Sequence, residues 1–313
     1  MSETDKLVSI TSSLTFWQTC RAYFELTRLH KFPLGNILLI WPGVWGATMA
    51  AYKAQLPFNV LAPQLVLHAA GATMVHSTAC VINDICDIDF DRKVERTKHR
   101  PLAAGLISVT GAWILLSTMT IGCLALLWLA NPVAARVGLI GLFPFHALYP
   151  LMKRWTYWPQ AWLGLAMNWG FVVAWLQIFP NYTSGDVQFM VVVLAGLVAW
   201  TIVYDTEYGC QDRRDDVRAG VKSTAVLFGD HVRAVLIVFA IAFVGALTAA
   251  GVMNNQSTVY FAVSCCGTVA HLAWQLVTWE IESREDCGAK FKSNGDLGYI
   301  VFAGMLADYA LRI

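Results

Sequence analysis

Acidic residues are scarce in this chain and unevenly placed. Between Gln55 and Asn181 the only acids are Asp84, Asp87, Asp89, Asp91 and Glu95. They crowd into one segment, Asn83-Asp84-Ile85-Cys86-Asp87-Ile88-Asp89-Phe90-Asp91, and the residues just after it. If the preceding apolar helix continues, Asn83, Asp87 and Asp91 stand at i, i+4 and i+8, which places three oxygen ligands on one face. A second cluster runs from Tyr204 to Asp216. There Asp205, Tyr208, Asp212 and Asp216 fall at i, i+3, i+7 and i+11, again on one face. Like charges at such spacing repel, so either row is costly without a cation. Carboxylate and carbonyl oxygens suit hard divalent ions, and Mg²⁺ in particular is shared between a few carboxylates and substrate phosphates. The two rows together read as a clamp for a Mg²⁺-bound diphosphate. Its metal ligands would be Asn83, Asp87, Asp91, Asp212 and Asp216, the four aspartates being the catalytic groups.

Basic residues follow each row: Arg92, Lys93, Arg96, Lys98 and Arg100, then Arg213, Arg214, Arg218 and Lys222. Lysine and arginine bind phosphate oxygens directly. A third basic pair, Lys153-Arg154, ends the run Tyr149-Pro150-Leu151-Met152. Lys222, Arg92, Arg96 and Lys153 are the candidate diphosphate-binding residues. A solvated loop would explain either acidic cluster alone. Two matched clusters, each starting inside an apolar helix end, favour function, because acids at a membrane edge mark sites. An EF-hand is excluded, since Cys86 and Ile88 would occupy ligand positions 3 and 5. The spacing of a P-loop is absent around Lys222.

The elements that position these rows must be apolar helices. The chain has 313 residues, 57% hydrophobic and 14% charged, against about 25% charged in a soluble domain. Mean hydropathy is +0.53. A bilayer core needs about 20 apolar residues per helix. Nine segments qualify, at about 34–52, 62–82, 109–130, 133–151, 159–179, 187–204, 232–252, 257–278 and 297–312, the last being short. The fold class expected is all-α, with residues 1–313 forming one polytopic membrane domain around a central cavity. With alternating loops, 19 of the 22 lysines and arginines lie on the side of the N-terminus. That bias places the N-terminal segment, residues 1–27, and both acidic rows in the cytosol. Two sequons, at Asn181 and Asn255, fall on the other side. The first residues, with Glu3 and Asp5, resemble neither a secretory signal nor a transit peptide. A net charge of +1 gives no reason to expect a nucleic-acid partner. Eight cysteines without paired spacing, and His68, His76, His146 and His271 within apolar helices, are expected to pack rather than ligate.

At these residues the chain resembles the UbiA superfamily of intramembrane prenyltransferases. The family pattern Asn-Asp-x-x-Asp-x-x-x-Asp matches Asn83, Asp84, Asp87 and Asp91. The second motif matches Tyr204, Asp205, Tyr208, Asp212, Asp215 and Asp216, followed by Lys222-Ser223-Thr224. The run Arg28 to Gly35 resembles the approach to the family's first helix. Tyr149-Pro150 through Arg154, and Asn168-Trp169-Gly170, are similar to the 4-hydroxybenzoate polyprenyltransferase branch. The resemblance implies nine transmembrane helices and Mg²⁺-dependent transfer of a prenyl group from its diphosphate to an aromatic acceptor. It also implies Arg154, Asn168, Tyr208 and Asp205 as the acceptor side of the site. The chain looks more similar to fungal meroterpenoid enzymes of this branch, which attach farnesyl to aromatic polyketide acids, and so to an endoplasmic reticulum membrane. A 4-hydroxybenzoate enzyme of ubiquinone synthesis is the alternative. Asp84, Asp205 and released diphosphate all remain open as the proton acceptor. Among other classes, a cation transporter would want its acids near the midplane. A CDP-alcohol phosphotransferase would want an Asp-Gly and Ala-Arg run that is not found.

Overall fold

Residues 14–312 are described by a computed structural model. Readings that involve residues 1–13, including Glu3 and Asp5, lie outside the described residues. The described chain is helical: α1 Phe16–Leu26, α2 Asn36–Ala54, α3 Phe58–Cys86, α4 Ile88–Asp91, α5 Val109–Leu127, α6 Pro132–Trp155, α7 Pro159–Ile178, α8 Ser184–Cys210, α9 Arg213–Ala219, α10 Thr224–Met253, α11 Thr258–Thr278 and α12 Arg284–Arg312. Seven of these, α3, α5, α6, α7, α8, α10 and α11, are long and apolar enough to cross a membrane. α2 and α12 are long enough, but their composition falls short of that test.

The reason lies in packing. α2 sits against α3, α7 and α12, and almost every residue from Leu38 to Tyr52 is buried. A helix enclosed by protein can carry glycine and polar groups that lipid would not tolerate. α12 shows this directly. Its buried Lys290 donates to Thr278 Oγ1 at 2.7 Å, Asn294 accepts from Trp200 Nε1 at 2.8 Å, and Asp308 accepts from Ser257 N at 3.0 Å. The sequence places the last span at about 297–312, yet α12 starts at Arg284, thirteen residues earlier. α3 and α8 likewise run past their apolar cores, to Cys86 and Cys210.

The expected hairpin at Asn131-Pro132 is present. Asn131 Oδ1 accepts from Val133 N and Ala134 N at 2.9 and 3.0 Å, capping α6, and Pro132 occupies its first turn. Midway along α6, Gly141–His146 form a π-helical turn around Pro144.

The loops sort to two ends. Arg96 meets Asp212, Lys222 N–H donates to the Lys153 carbonyl, and Arg284 meets Asp215. These contacts gather the loops after α3, α6, α8 and α11 at one end. At the opposite end Lys53 pairs with Asp186, and Tyr52 Oη donates to Asn255 O. This is the partition that the basic-residue bias requires.

Candidate functional site

Both acidic rows are built the same way. α3 ends at Cys86, and Asp87 breaks it with φ −101° and ψ 10°, but Asp87 N–H still donates to Asn83 O, and Asp91 N–H to Asp87 O. α8 ends at Cys210, and Asp212 sits at φ −110° and ψ 4°, its own carbonyl accepting from Asp216 N–H. In each row the chain bends at the middle aspartate and resumes helix for one turn or more. The bend lies in the sparsely populated bridge region, where site residues often occur. The expectation of one unbroken helix is corrected at both places. The i, i+4 pairing of Asp87 with Asp91, and of Asp212 with Asp216, survives the bend.

Arg96 joins the rows. Its Nε and Nη2 donate to Asp212 Oδ2 at 2.9 and 2.7 Å, and its Nη1 donates to Tyr208 Oη at 2.9 Å. Burial works against the Arg96 charge, but Tyr208 and Asp212 outweigh it and hold the guanidinium above its ordinary range. Arg100 Nη1 donates to Asp84 at 3.0 Å and to Asp91 at 2.9 Å. Arg28 grips Asp84 with Nη2 at 2.8 and 2.7 Å. Lys31 lies beside Arg28, Arg100 and Arg96; burial and these cations hold it below the usual lysine range. Arg154 donates to the Cys86 carbonyl at 2.7 Å, with Asp87 Oδ1 3.8 Å away.

Lys153 faces both rows, acting on Asp87, Asp205 and Asp216. Asp87 is 8% exposed and receives no hydrogen bond from a described side chain. Burial pushes its carboxyl above the usual range, with Lys153 opposing. Burial likewise pushes Asp216 up to about 6, again with Lys153 opposing. Tyr149 stands among Asp205, Asp87 and Tyr208.

The donor set tests the fit to Mg²⁺. Among the described residues, no three acidic, histidine or cysteine groups converge to hold an ion by themselves. The carboxylates Asp84, Asp87, Asp91, Asp205, Asp212 and Asp216 are interleaved with Arg28, Lys31, Arg96, Arg100, Lys153 and Arg154, so the formal charges cancel. A diphosphate would bring negative charge that nothing in this set offsets. Hard oxygen donors offered one or two at a time, next to a polyanion, are what Mg²⁺ takes. The residues therefore fit a metal that arrives with its substrate.

Most of the predicted site residues come together: Asp87, Asp91, Asp205, Asp212, Asp216, Arg96, Lys153, Arg154 and Tyr208. Asn83 contributes the carbonyl that accepts from Asp87 N–H. Four others are placed otherwise. Arg92 is half exposed, pairs with Asp89 at 3.4 Å and donates to Ala103 O. Lys222 is tied by its backbone to Lys153, with its ammonium over the Tyr157 ring at 5.7 Å. Asp84 is locked by two arginines. Asn168 is fully buried between α7 and α8, where its Nδ2 donates to Gly164 O, Leu197 O and Thr201 Oγ1. It fastens helices, and the expectation that it touches an acceptor is corrected on that ground. Sequence reasoning gave no site role to Arg28, Lys31, Arg100 and Tyr149.

Away from this cluster along α3 and α6, a half-open cavity of about 140 Å³ lies between α2, α3, α5, α6 and α7. Leucine, alanine, valine and glycine dominate its wall, with Trp169 across one side. His68 and His146 also line it, each with an unpartnered Nε2. His146 Nδ1 lies 2.7 Å from the Gly141 carbonyl, across the π-helical turn. The two histidines are thus wall residues of a cavity, beyond the packing role expected of them.

Residues 39–300 match the UbiA prenyltransferase family. UbiA prenyltransferase claS of Ampulloclitocybe clavipes is 45% identical over 293 residues, covering 93% of this chain and 92% of that protein. The human mitochondrial 4-hydroxybenzoate polyprenyltransferase is 40% identical over 294 residues, covering 91% of this chain and 74% of that one. Two solved structures show the fold. A UbiA homolog from Aeropyrum pernix K1 matches with TM-score 0.72 at 22% identity, covering 88% of this chain and 98% of that one. A UbiA homolog from Archaeoglobus fulgidus, bound to GPP and Mg²⁺, matches with TM-score 0.64 at 17% identity, covering 92% of this chain and 99% of that one. With two aspartate rows bent alike and held together at one end of an apolar helical bundle, the chain belongs to the UbiA prenyltransferase family and is a multi-pass membrane prenyltransferase.

Proposed function

We propose that this enzyme uses Mg²⁺ to transfer a prenyl group, farnesyl by preference, from its diphosphate to a ring carbon of an aromatic phenolic acid. The acceptor is read as a polyketide acid of meroterpenoid synthesis. The observation that carries the reading is the Arg96 bridge, which ties the loop after the first aspartate row to Asp212 and Tyr208 of the second. The 45% identity to the claS prenyltransferase supports prenyl transfer as the reaction. The relatives named 4-hydroxybenzoate polyprenyltransferase support a phenolic acid acceptor, and keep the ubiquinone reaction as the second reading. The basic-residue bias supports a site facing the cytosol, and the membrane is read as that of the endoplasmic reticulum.

Asp87, Asp91, Asp212 and Asp216, with Asn83, are the groups that would hold the metal. When bound, Mg²⁺ supplies Lewis-acid charge that offsets the leaving group as the C–O bond breaks. Lys153, Arg96 and Arg100 add charge-assisted hydrogen bonds to the departing oxygens. Asp84, fixed by Arg28 and Arg100, orients that arginine pair rather than taking a proton. The apolar cavity receives the hydrocarbon tail and keeps water from the allylic cation. Arg154 orients the acceptor through its carboxylate. The ring carbon bonds to the cation, and the ring proton passes to a base. Asp205, beside Lys153 and Tyr149, is the protein carboxylate left for that role, with diphosphate as the other acceptor.

The experiment replaces Asp87 or Asp212 by alanine, confirms membrane insertion, and measures transfer with Mg²⁺ and with EDTA. Loss of transfer in all three arms is expected. Full activity in either variant, or transfer in EDTA, rejects the clamp.

A further inference from the structure

The first helix, α1, has three faces where a helix between protein and water needs two. Its residues advance by about 100° each. Thr19, Ala22, Tyr23 and Leu26 share one face, with Ala22 and Leu26 buried against the bundle. Gln18, Arg21 and Glu25 share a second, on which Arg21 Nε donates to Glu25 Oε1 at 2.8 Å. Phe16, Trp17, Cys20 and Phe24 share the third. All four are exposed, Phe16 by 73% and Trp17 by 78%. Water is a poor medium for such an aromatic stripe, and a helix with separate apolar and charged outer faces is the form that lies in a membrane surface.

The height of α1 on the bundle says what covers the stripe. α5 has 19 residues, about 28 Å, close to the thickness of a hydrocarbon core of about 30 Å, so Val109 stands near the edge of that core. Tyr23 Oη fills the space that a Cβ on Gly111 would take, and Ala22 and Leu26 belong to one apolar cluster with Ala112 and Leu116. These three α5 residues lie about 3 to 10 Å in from Val109. Amphipathic helices rest at a comparable depth, about 5–10 Å, at the border of head groups and acyl chains. Val109, Trp113 and Ile114, on the same turns of α5, are exposed on the outside of the bundle, as lipid-facing residues are. The stripe of α1 stands at their level.

We propose that α1 is an interfacial helix, with Phe16, Trp17 and Phe24 inserted into the lipid leaflet on the side of the aspartate rows, and with Arg21 and Glu25 toward water. The seat bears on the site. Arg28 lies two residues past α1, donates through Nη1 to the Glu25 carbonyl at 3.1 Å, and grips Asp84 with Nη2. The height of α1 in the leaflet therefore fixes the height of that grip.

The test uses the full chain in vesicles of phosphatidylcholine, plain or brominated either near the head group or near the chain ends. The emission of the wild type minus that of Trp17→Phe, a variant that keeps an aromatic ring at an exposed position, isolates Trp17. Bromine near the head group is expected to lower this signal about twofold or more, and bromine near the chain ends to lower it less. Acrylamide added to the water is expected to leave most of it. Strong quenching by acrylamide with none by either brominated lipid would place the stripe in water and overturn the assignment. Protection from both quenchers would show the stripe covered by protein, a second copy of the chain included, and would overturn it equally.

Discussion

Arg96 offers the most direct test of how the two rows are held. Its side chain is 38% exposed and that of Asp212 13%, and two nitrogens of the guanidinium reach one carboxylate oxygen. An exposed ion pair contributes roughly 0.2–1 kcal/mol, whereas breaking a buried one costs about 3–5 kcal/mol. The partial exposure puts this pair between those limits. Replacing Arg96 by glutamine should cost about 1.5–3 kcal/mol, part of it from the Tyr208 contact. Asp212→Asn should cost less, because the amide oxygen still accepts. A double-mutant cycle isolates the shared term, expected at about 1–2 kcal/mol. The assay is thermal unfolding of the detergent-solubilised protein for the wild type, both single variants and the double variant, without substrate. The double variant should be destabilised by clearly less than the two single effects added together. Strict additivity would refute the bridge, whatever the variants do to catalysis.

Three further outcomes follow from the same geometry. Arg100→Gln removes a partner from the buried carboxylates of both Asp84 and Asp91, a loss of roughly 3–5 kcal/mol that the Arg28 grip reduces, and should impair folding and transfer; Arg92→Gln, at an exposed pair, should keep transfer within about twofold, as measured by initial rates in membranes. Asn168→Leu should lower the thermal midpoint while leaving the acceptor's KM unchanged, because its amide binds only the neighbouring helix and its own. Below a pH of about 6 the Asp216 carboxyl holds its proton, and a metal must displace it; the Mg²⁺ concentration for half-maximal transfer should rise as pH falls through that value, and Asp216→Asn should flatten the dependence.

The aspartate rows were legible because their spacing is local. Four residues apart on a helix means one face, and the bends at Asp87 and Asp212 do not undo it, since the i to i+4 backbone bonds persist. The bends themselves left no mark in the sequence. The basic partners were only half legible. Arg100 was visible among the cations after the first row, but every cation there also satisfies the charge bias of a cytosolic loop. Arg28 reaches Asp84 across 56 positions, a contact that no local pattern reports. α12 was read as short because hydropathy assumes that a spanning helix meets lipid. Lys290, Asn294 and Asp308 instead meet hydroxyl, indole and backbone donors or acceptors supplied by other helices. Asn168 was misjudged for the same reason, its partners lying on a neighbouring helix.

The interleaved charges change the electrostatic argument made from the rows alone. Opposed aspartates were expected to be tolerable only with a divalent ion between them. In the folded chain, Arg96, Arg100 and Lys153 already separate them, and the set is formally neutral. Two consequences pull in opposite directions. A metal alone must compete with fixed cations for lone carboxylates, so it should bind weakly. A diphosphate alone adds negative charge to a balanced site, so it should bind weakly too. Together they add little net charge and free each other's partners, the arginines turning to phosphate as the carboxylates turn to metal. Linkage then requires that each raise the other's affinity by the same factor. Isothermal titration of the detergent-solubilised protein with Mg²⁺, with inorganic diphosphate, and with each in the presence of the other measures that factor from both sides. A tenfold factor corresponds to about 1.4 kcal/mol of coupling, and at least that much is expected if Arg96 leaves Asp212 for phosphate. Tight stoichiometric binding of Mg²⁺ without diphosphate would show that the aspartates form a metal site on their own, and the cations between them would need another explanation.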